Sequence, residues 1–555
     1  MTSHKSENYS NYIFIVLHGY SCSTAAYRSI KVRLEKDFSG CEVLIPKLSM
    51  PIFSRKDPVE IVEVIITRID ARWTPGKRIV LIGHSCGAIL ARKVYLCACG
   101  KGKSDPYENK STDIKSWAYA IDRIILLAGM NRGWTVNRHL SLFQAMSWEI
   151  GIGIGKILSM MGVEPLIFKF KKGAPFITDL RLQWLDLQKD SVVTGLGGAM
   201  VVQLLGTIDD LVSPEDNIDM ITGAKFFYLD IPFSGHKDVI LMDRSEKGIA
   251  RYSAFHQALT MSAIEMASSQ TSFTEPVLVQ RPEVTDVIFV IHGIRDAGYW
   301  TQKVARKVKA LALENNQNIE LETSSYGYFP MLPFLLPVSR KAKVEWLMDQ
   351  YTENYAKFPK AEFSFIGHSN GTYLLAKALT DYPCCRFKNV VFAGSVVRND
   401  YKWDTLFEKG RVKAAINFVA TGDWVVAIFP KLFQTLNVSD LGSGGHDGFT
   451  SKRNIELKYV KGGHGAAIQE NLWKVIANFI LTGDTPSIPE ALKDDVQNVW
   501  VKRLGKTALL VWAIILLILL GIGILLWKSG PASPYFKSLI LAFYLIGIWK
   551  VLTKL

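Results

Sequence analysis

Two serines in this 555-residue sequence lie in the same five-residue pattern, Gly-His-Ser-X-Gly. Ser85 is the centre of residues 83–87, and Ser369 is the centre of residues 367–371. A serine hydroxyl attacks a carbonyl carbon when a neighbouring base accepts its proton, so each serine is a candidate nucleophile. The flanking glycines suit a sharp turn, where side chains would collide with the neighbouring backbone. The repetition argues against a chance occurrence of the pattern.

Each serine pattern lies between an apolar run of strand length and a stretch with the apolar spacing of a helix. Residues 78–82 and 363–366 form the two runs. Uninterrupted apolar runs are typical of strands that are buried on both faces of a parallel sheet. Similar runs alternate with helical stretches along both halves of the chain. The alternation predicts an α/β fold with a mostly parallel, doubly wound sheet in each half.

The arrangement resembles the α/β-hydrolase superfamily, whose lipase-like and esterase-like members are serine hydrolases. The resemblance rests on a His-Gly pair after the first buried strand, on Gly-X-Ser-X-Gly, and on the chain order Ser, Asp, His at successive strand ends. It covers nearly all of residues 12–480 as two copies. It implies two tandem α/β-hydrolase domains, each with a Ser-His-Asp triad and a pair of backbone N–H groups that bind an oxyanion. The N–H groups would be those of Tyr20 and Cys86 in the first half, and of Ile294 and Asn370 in the second.

In the first half, Ser85 is the expected nucleophile and His236, which follows a predicted strand, is the expected base. Asp209 would hold the other imidazole nitrogen and fix the tautomer of the ring. Asp210 is the alternative acid. We prefer Asp209 because a valine follows it by three residues, as one follows the acid of the second half.

In the second half, the expected triad is Ser369, His464 and Asp423. His446 competes with His464 as the base. We prefer His464 because it directly follows the last predicted strand after a glycine, as the base of the first half does, and we expect His446 to be a solvated loop residue. His84 and His368, which precede the two serines, are expected to have packing roles.

The domain boundaries follow from changes in composition along the chain. The segment at about 131–199 interrupts the first half and is rich in tryptophan, phenylalanine and aliphatic residues. We expect a helical cap with apolar faces there, which would favour substrates with acyl groups; extra core helices away from the site are the alternative. The second half has only a short segment at this place, so its site should be more open.

The predicted organisation is a first domain at 11–266, a linker at 267–284, a second domain at 285–483, a linker at 484–506 and a membrane anchor at 507–553.

The anchor is predicted from residues 508–527, which are apolar and uncharged over the length that spans a bilayer. Residues 538–552 are a second span or an interfacial segment. Residues 1–11 are polar and lack the apolar core of a signal peptide, and the seven cysteines show no disulfide spacing. We therefore expect a C-terminally anchored membrane protein whose catalytic domains lie on the cytosolic side.

The net charge of +14 suits an anionic membrane surface. No dense basic block with interleaved aromatic residues is present, so nucleic acid is not an expected partner. Metal-ligand spacings and phosphate-binding glycine patterns are also missing, so no metal or cofactor is expected. The sequence does not indicate an oligomeric state.

Together these features predict a membrane-anchored serine hydrolase that cleaves carboxyl esters of lipid or acyl substrates through an acyl-enzyme. One alternative is a single catalytic domain joined to a non-catalytic binding or scaffold module. Another is the hydrolysis of amides, thioesters or peptides by the same triads, because one fold hosts many reactions.

Overall fold

The computed structural model describes residues 9–102, 113–135, 163–208, 225–271, 279–296, 298–530 and 533–554, with residues 153, 155, 158 and 219 between them. The chain divides into two compact units. The first unit is Met1–Val279 with Met348–Ala356, and the second is Gln280–Leu347 with Lys357–Leu555.

The first unit contains a six-stranded sheet whose strands are all parallel, in the order β2-β1-β3-β4-β5-β6. The interior strands are buried along nearly their whole length, as strands with helices on both faces must be. The strands are β1 (Tyr12–Leu17), β2 (Glu42–Leu44), β3 (Arg78–His84), β4 (Ile121–Leu127), β5 (Met200–Gly206) and β6 (Phe226–Ile231).

Helices cover both faces of the first sheet, and apolar side chains form a core cluster on each face. Their starts carry the expected capping residues: Asp57 accepts from the N–H of Val59 before a proline at the first helical position, and Ser262 and Glu265 form a capping box. The helices are α1 (Arg28–Asp37), α2 (Pro58–Asp70), α3 (Cys86–Ala98), α4 (Leu166–Lys169), α5 (Pro175–Thr194), α6 (Glu246–Thr260) and α7 (Ala263–Ser269).

The second unit contains another six-stranded parallel sheet, in the order β8-β7-β9-β10-β11-β12. Counted from the first strand of each sheet, the two orders are the same. The strands are β7 (Asp286–Ile291), β8 (Ile319–Glu322), β9 (Glu362–His368), β10 (Phe387–Ala393), β11 (Val412–Ala420) and β12 (Ile455–Val460).

The helices that follow β7 include one, α10, whose residues are divided between the two units. They are α8 (Tyr299–Glu314), α9 (Met331–Leu335), α10 (Pro337–Lys357), α11 (Asn370–Asp381), α12 (Trp403–Glu408), α13 (Trp424–Leu436), α14 (Gly444–Asp447), α15 (Trp473–Thr482), α16 (Val499–Lys506), α17 (Ala508–Ser529) and α18 (Pro534–Lys554).

The strand order determines where a site can form. In the first sheet the chain passes from β1 to β2 on one side and then returns to β3 on the other, so β1 and β3 are neighbours across a switch in direction. Loops at the carboxyl ends of two such strands diverge and leave a crevice. The crevice lies after His18-Gly19 and at Ser85 in the first unit, and after His292-Gly293 and at Ser369 in the second.

The described part of the predicted cap belongs to the core of the first unit. Trp184, 1% exposed, and Leu187 of α5 pack in the same cluster as α3 and one face of the sheet. Residues 136–152, which held much of the predicted cap, lie outside the described residues. Helix α5 thus matches the alternative of extra core helices, and the cap itself stays a prediction.

Two further segments bear on the predicted boundaries. Helix α7 extends to Ser269 and so runs into the segment predicted as a linker from 267 onward. Among the described residues, α17 is the one helix long and apolar enough to cross a membrane, and its apolar window is not buried within the protein. Helix α18 covers the predicted second segment, for which a second span and an interfacial segment both stay predictions.

Candidate active sites

Ser85 lies at a strained turn between β3 and α3. Its backbone has φ 55° and ψ −122°, a conformation that costs a residue with a side chain about 1–3 kcal/mol. The turn brings Gly87 against β1, where an added Cβ would lie 2.2 Å from the carbonyl oxygen of Leu17. The Ser85 N–H donates to the carbonyl of Leu127 at the end of β4, 3.0 Å away. Strand pairing and the absence of a side chain at Gly87 thus hold the serine at the crevice.

Ser369 repeats this geometry in the second unit. Its φ is 51° and its ψ −117°, and its N–H donates to the carbonyl of Ala393 at 2.9 Å. A Cβ on Gly371 would lie 2.5 Å from the carbonyl oxygen of Ile291. The same backbone path therefore presents a serine at the equivalent place in both sheets.

The first site brings Ser85 and His236 together. Oγ of Ser85 lies 2.9 Å from Nε2 of His236, and both residues are 7% exposed. Asp209 and its alternative Asp210 lie outside the described residues. The last described residue before them, Ile208, donates its N–H to the carbonyl of Ser234 at 3.0 Å.

The second site brings His464 and Asp423 together. Nδ1 of His464 lies 2.9 Å from Oδ2 of Asp423, whose side chain is fully buried. The other carboxylate oxygen accepts from the N–H of Val426 at 3.0 Å, so the acid also caps α13. Burial by itself lowers the pKa of His464, but the charge and hydrogen bond of Asp423 outweigh it, and the pKa lies above its ordinary value.

Ser369 and His464 are not joined by a hydrogen bond, although the ring of His368, the residue before the serine, lies 4.9 Å from the ring of His464 between centroids. Among the residues that the structure describes, none forms a hydrogen bond with Oγ of Ser369, which is 6% exposed. The first site therefore shows a serine–histidine pair, and the second shows a histidine–aspartate pair.

The four predicted oxyanion donors lie at the two crevices. Tyr20 and Ile294 follow the His-Gly pairs, while Cys86 and Asn370 are the first residues of the helices after the serines. Within the described ranges, the backbone N–H groups of these four residues donate to no carbonyl or side-chain oxygen, and the N–H of Tyr20 faces the thiol of Cys86. Burial raises the pKa of the Cys86 thiol to about 12, so this thiol stays protonated beside the serine.

The histidines before the serines do more than fill space. Nε2 of His84 lies 2.9 Å from the carbonyl oxygen of His236, and Nε2 of His368 lies 3.2 Å from that of His464. A carbonyl can only accept, so each ring donates from Nε2. Burial lowers the pKa of His368 to about 3, which keeps that ring neutral. Each of these histidines thus holds the backbone of the predicted base.

A tyrosine that the sequence analysis missed extends this series of hydrogen bonds in the first unit. The hydroxyl of Tyr27 lies 2.6 Å from Nδ1 of His84 and accepts from the N–H of Gly19 at 2.8 Å. Because His84 donates from Nε2, its Nδ1 accepts the tyrosine proton. The loop after β1 is therefore tied through Tyr27 and His84 to the backbone of His236. No local pattern marks Tyr27, which lies 57 residues before His84.

A different tyrosine supports the second site. The hydroxyl of Tyr326 lies 2.9 Å from the carbonyl oxygen of His292 and 2.7 Å from that of Gly293. It also accepts from Nδ2 of Asn370 at 3.1 Å. The loop that carries the predicted oxyanion donor Ile294 is therefore fixed from the side of β8.

The expectation for His446 was wrong in one respect. This histidine is 2% exposed and lies in the short helix α14, so it is not a solvated loop residue. Nε2 of Gln497 lies 3.0 Å from its Nδ1. The imidazole that pairs with Asp423 is that of His464.

The described residues contain no group of three or more His, Cys, Asp or Glu side chains that could hold a metal ion. Among the described side chains, the first crevice presents a serine and an imidazole, and the second presents a serine, an imidazole and a carboxylate.

No protein-family model matches the chain, and no curated protein matches it. The chain is similar to several solved structures. One is a lipase-esterase related protein from Clostridium acetobutylicum, with 15% identity over 46% of this chain and 96% of that chain, and a TM-score of 0.26. A lipase from Bacillus licheniformis shows 14% identity over 45% of this chain and 91% of that chain, with a TM-score of 0.29. The phospholipase PlaB from Legionella pneumophila shows 15% identity over 51% of this chain and 70% of that chain, with a TM-score of 0.32. Scores this low do not establish kinship.

Proposed function

We propose that the protein is a serine hydrolase that cleaves carboxyl esters through an acyl-enzyme, with one triad in each unit. The observation that carries the proposal is the contact of 2.9 Å between Oγ of Ser85 and Nε2 of His236, with the serine strained at a strand-to-helix turn. Strain of this kind persists only where the surrounding structure enforces it, and it is concentrated at functional sites.

The reaction follows from these positions. Oγ of Ser85 attacks the carbonyl carbon while Nε2 of His236 accepts its proton. The N–H groups of Tyr20 and Cys86 bind the oxyanion of the tetrahedral intermediate; the loss of one such donor typically lowers turnover about 10²–10³-fold. The imidazolium then protonates the leaving alcohol, and the acyl group stays on the serine. Water, deprotonated by the same imidazole, releases the acid and restores the serine.

The pairing register favours Asp209 over Asp210 as the acid of the first triad. In the second unit, the residue before Asp423 donates its N–H to the carbonyl two residues before His464, at 2.8 Å. In the first unit, the residue before Asp209 donates to the carbonyl two residues before His236, at 3.0 Å. The equivalent of Asp423 in this register is Asp209.

In the second triad, Asp423 fixes His464 with Nε2 directed away from the carboxylate, so that the ring has only to close on Ser369. Hydrogen bonds between nucleophile and base are often long before a substrate binds. The side chain of His464 is 20% exposed, which leaves it room to move. Ile294 and Asn370 supply the oxyanion donors.

The proposed substrates are lipid or other acyl esters. The proposed location is a membrane, in which α17 anchors the protein. Helix α17 is apolar on all sides and unburied, which is expected of a helix that contacts lipid. Such an anchor would keep both units close to membrane-resident esters.

The test is hydrolysis of p-nitrophenyl esters of short and long acyl chains by the full-length protein. We expect Ser85→Ala and Ser369→Ala each to remove part of the activity and the double variant to remove all of it, while the exposed Ser268→Ala retains it. Activity that persists in the double variant would refute the proposal. Loss of all activity with Ser85→Ala alone would assign the second unit a non-catalytic role, and matched amide and thioester substrates would show whether esters are preferred.

A further inference from the structure

The helix that begins at the acid of the second site has an unusual surface. Asp423 caps α13, and six apolar side chains recur along one stripe of this helix at helical spacing. All six are partly or largely exposed, and Trp424 at the start of the helix is 52% exposed. They are Trp424, Val425, Ile428, Phe429, Phe433 and Leu436. We call them the α13 stripe.

The α13 stripe is continuous with the candidate membrane span. Helix α17 packs against α13: the rings of Phe429 and Trp512 meet edge to face with centroids 4.9 Å apart. Nε1 of Trp512 also donates to the carbonyl of Ile428 at 3.2 Å. Trp512 is in the second turn of α17, so the contact lies close to one end of the span.

These contacts place the second site near the level at which the span would enter a bilayer. Ile428 follows Asp423 by five residues, which is about 7–8 Å along a helix axis. The acid therefore lies about one and a half helical turns from the contact with α17. The hydrocarbon core of a bilayer is about 30 Å thick, so this separation is small on the scale of the membrane.

The opposite rim of the site also contacts the C-terminal helices. The loop that carries Ile294 continues to Arg295, whose N–H donates to the carbonyl of Phe329 at 3.1 Å. Helix α9 begins two residues after Phe329 and packs against α18. Helix α18 packs in turn against α17, where the hydroxyl of Tyr544 donates to the carbonyl of Leu519 at 2.7 Å.

Helix α16 adds residues suited to a lipid headgroup layer. It packs against α13 and leads directly into α17. Trp500 is 72% exposed, and Lys502, Arg503 and Lys506 follow it. Exposed tryptophan and a cluster of basic residues beside a span are typical of the interface with an anionic leaflet.

We propose that the second site opens onto the membrane surface and takes acyl esters directly from the leaflet in which α17 begins, with the α13 stripe and Trp500 in contact with lipid. The occupant of this apolar face is the bilayer, because the face is continuous with the span and is flanked by basic residues. The substrate part of the proposal rests on the proposed function of the second unit.

The first experiment measures lipid contact by the full-length protein in vesicles of phosphatidylcholine and phosphatidylglycerol. Bromine atoms near the top of the acyl chains quench only those tryptophans that reach that depth. We expect the quenched fraction to fall in Trp424→Phe. It should not fall in Trp403→Phe, which removes a buried, unquenched tryptophan of the same unit. An equal quenched fraction in Trp424→Phe and the unaltered protein overturns the proposal.

The second experiment measures substrate access in a Ser85→Ala background, in which turnover comes from the second site. It compares a long-chain ester embedded in the vesicles with a short-chain soluble ester. We expect Trp500→Ala to lower the ratio of the two activities about fivefold or more, because it removes apolar area from the lipid contact. Leu313→Ala, on the exposed side of α8, is the matched control and should keep the ratio. An unchanged ratio in Trp500→Ala also overturns the proposal.

The two experiments separate the two proposals. If Ser85→Ala has no turnover with either ester, the hydrolase proposal for the second unit fails, and the quenching result alone decides whether the α13 stripe contacts lipid.

Discussion

Replacing Asp423 by asparagine isolates the electrostatic part of the proposed second triad. Asparagine keeps an oxygen that accepts from the N–H of Val426, so the cap of α13 is preserved. Its amide group, however, donates toward Nδ1 of His464 where the carboxylate accepted at 2.9 Å. The imidazole must then carry its proton on Nε2, and it cannot accept one from Ser369. A wrong tautomer of this kind lowers kcat about 10⁴-fold.

The same substitution changes the pH dependence in a defined direction. In the unaltered protein, Asp423 raises the pKa of His464 against the effect of burial. In Asp423→Asn the effect of burial is unopposed, so the pKa should fall below its ordinary value of 6.5. The acid limb of kcat/KM, which reports the free enzyme, should move to lower pH. A raised pKa also means that the interaction stabilises the fold fully below about pH 6.5 and that this contribution is lost as the pH rises through the folded-state pKa.

The assay is ester hydrolysis as a function of pH in the Ser85→Ala background. Asp400→Asn is the matched control, because its side chain is 54% exposed and pairs with Arg398 away from the site. A loss of less than tenfold in kcat together with an unmoved acid limb would refute the role assigned to Asp423.

Two further substitutions test the framework of the first unit. Gly87→Ala places a Cβ 2.2 Å from the carbonyl oxygen of Leu17, so we expect either loss of folded protein or a displaced Ser85 with little activity from the first site. Thermal unfolding and ester hydrolysis in a Ser369→Ala background measure the two effects, and normal values in both would contradict this expectation. Arg92 is 1% exposed and lies 3.3 Å from the carboxylate of Asp219, so Asp219→Asn leaves a buried guanidinium without its ion-pair partner. We expect the first unit to lose about 3–5 kcal/mol of stability, measured by thermal unfolding at pH 7. An unchanged melting temperature would show that the charge is not buried as described.

Much of the sheet framework was accessible from the sequence because its signals are local. The apolar runs before Ser85 and Ser369 became β3 and β9, and the glycines beside the serines are required by contacts within a few ångströms of the turn. The sequence analysis used the valine three residues after Asp423 as a marker of the acid, and this marker has a structural reason, because the N–H of that valine donates to the carboxylate.

What the sequence did not reveal depends on contacts between distant residues. The tie from Tyr27 through His84 to the carbonyl of His236 joins three segments of the chain, and no spacing encodes it. His446 looked like a loop residue because glycines surround it, yet tertiary packing buries it. Apolar spacing in α5 was compatible with a cap and with a core helix, because both need a hydrophobic face.

The packing of α17 on α13 was likewise beyond the sequence. A run of apolar residues at 508–527 predicts a span by its length, but nothing in it indicates which helix it contacts. The structure connects it through Trp512 to the helix that Asp423 caps.

The claim that each unit holds one reactive serine is tested most directly with a fluorophosphonate probe. Intact mass gives the number of serines that the probe modifies in the full-length protein. We expect two adducts on the unaltered protein, one on Ser85→Ala, one on Ser369→Ala and none on the double variant. An adduct that persists on the double variant, or the absence of any adduct on the unaltered protein, would contradict the claim.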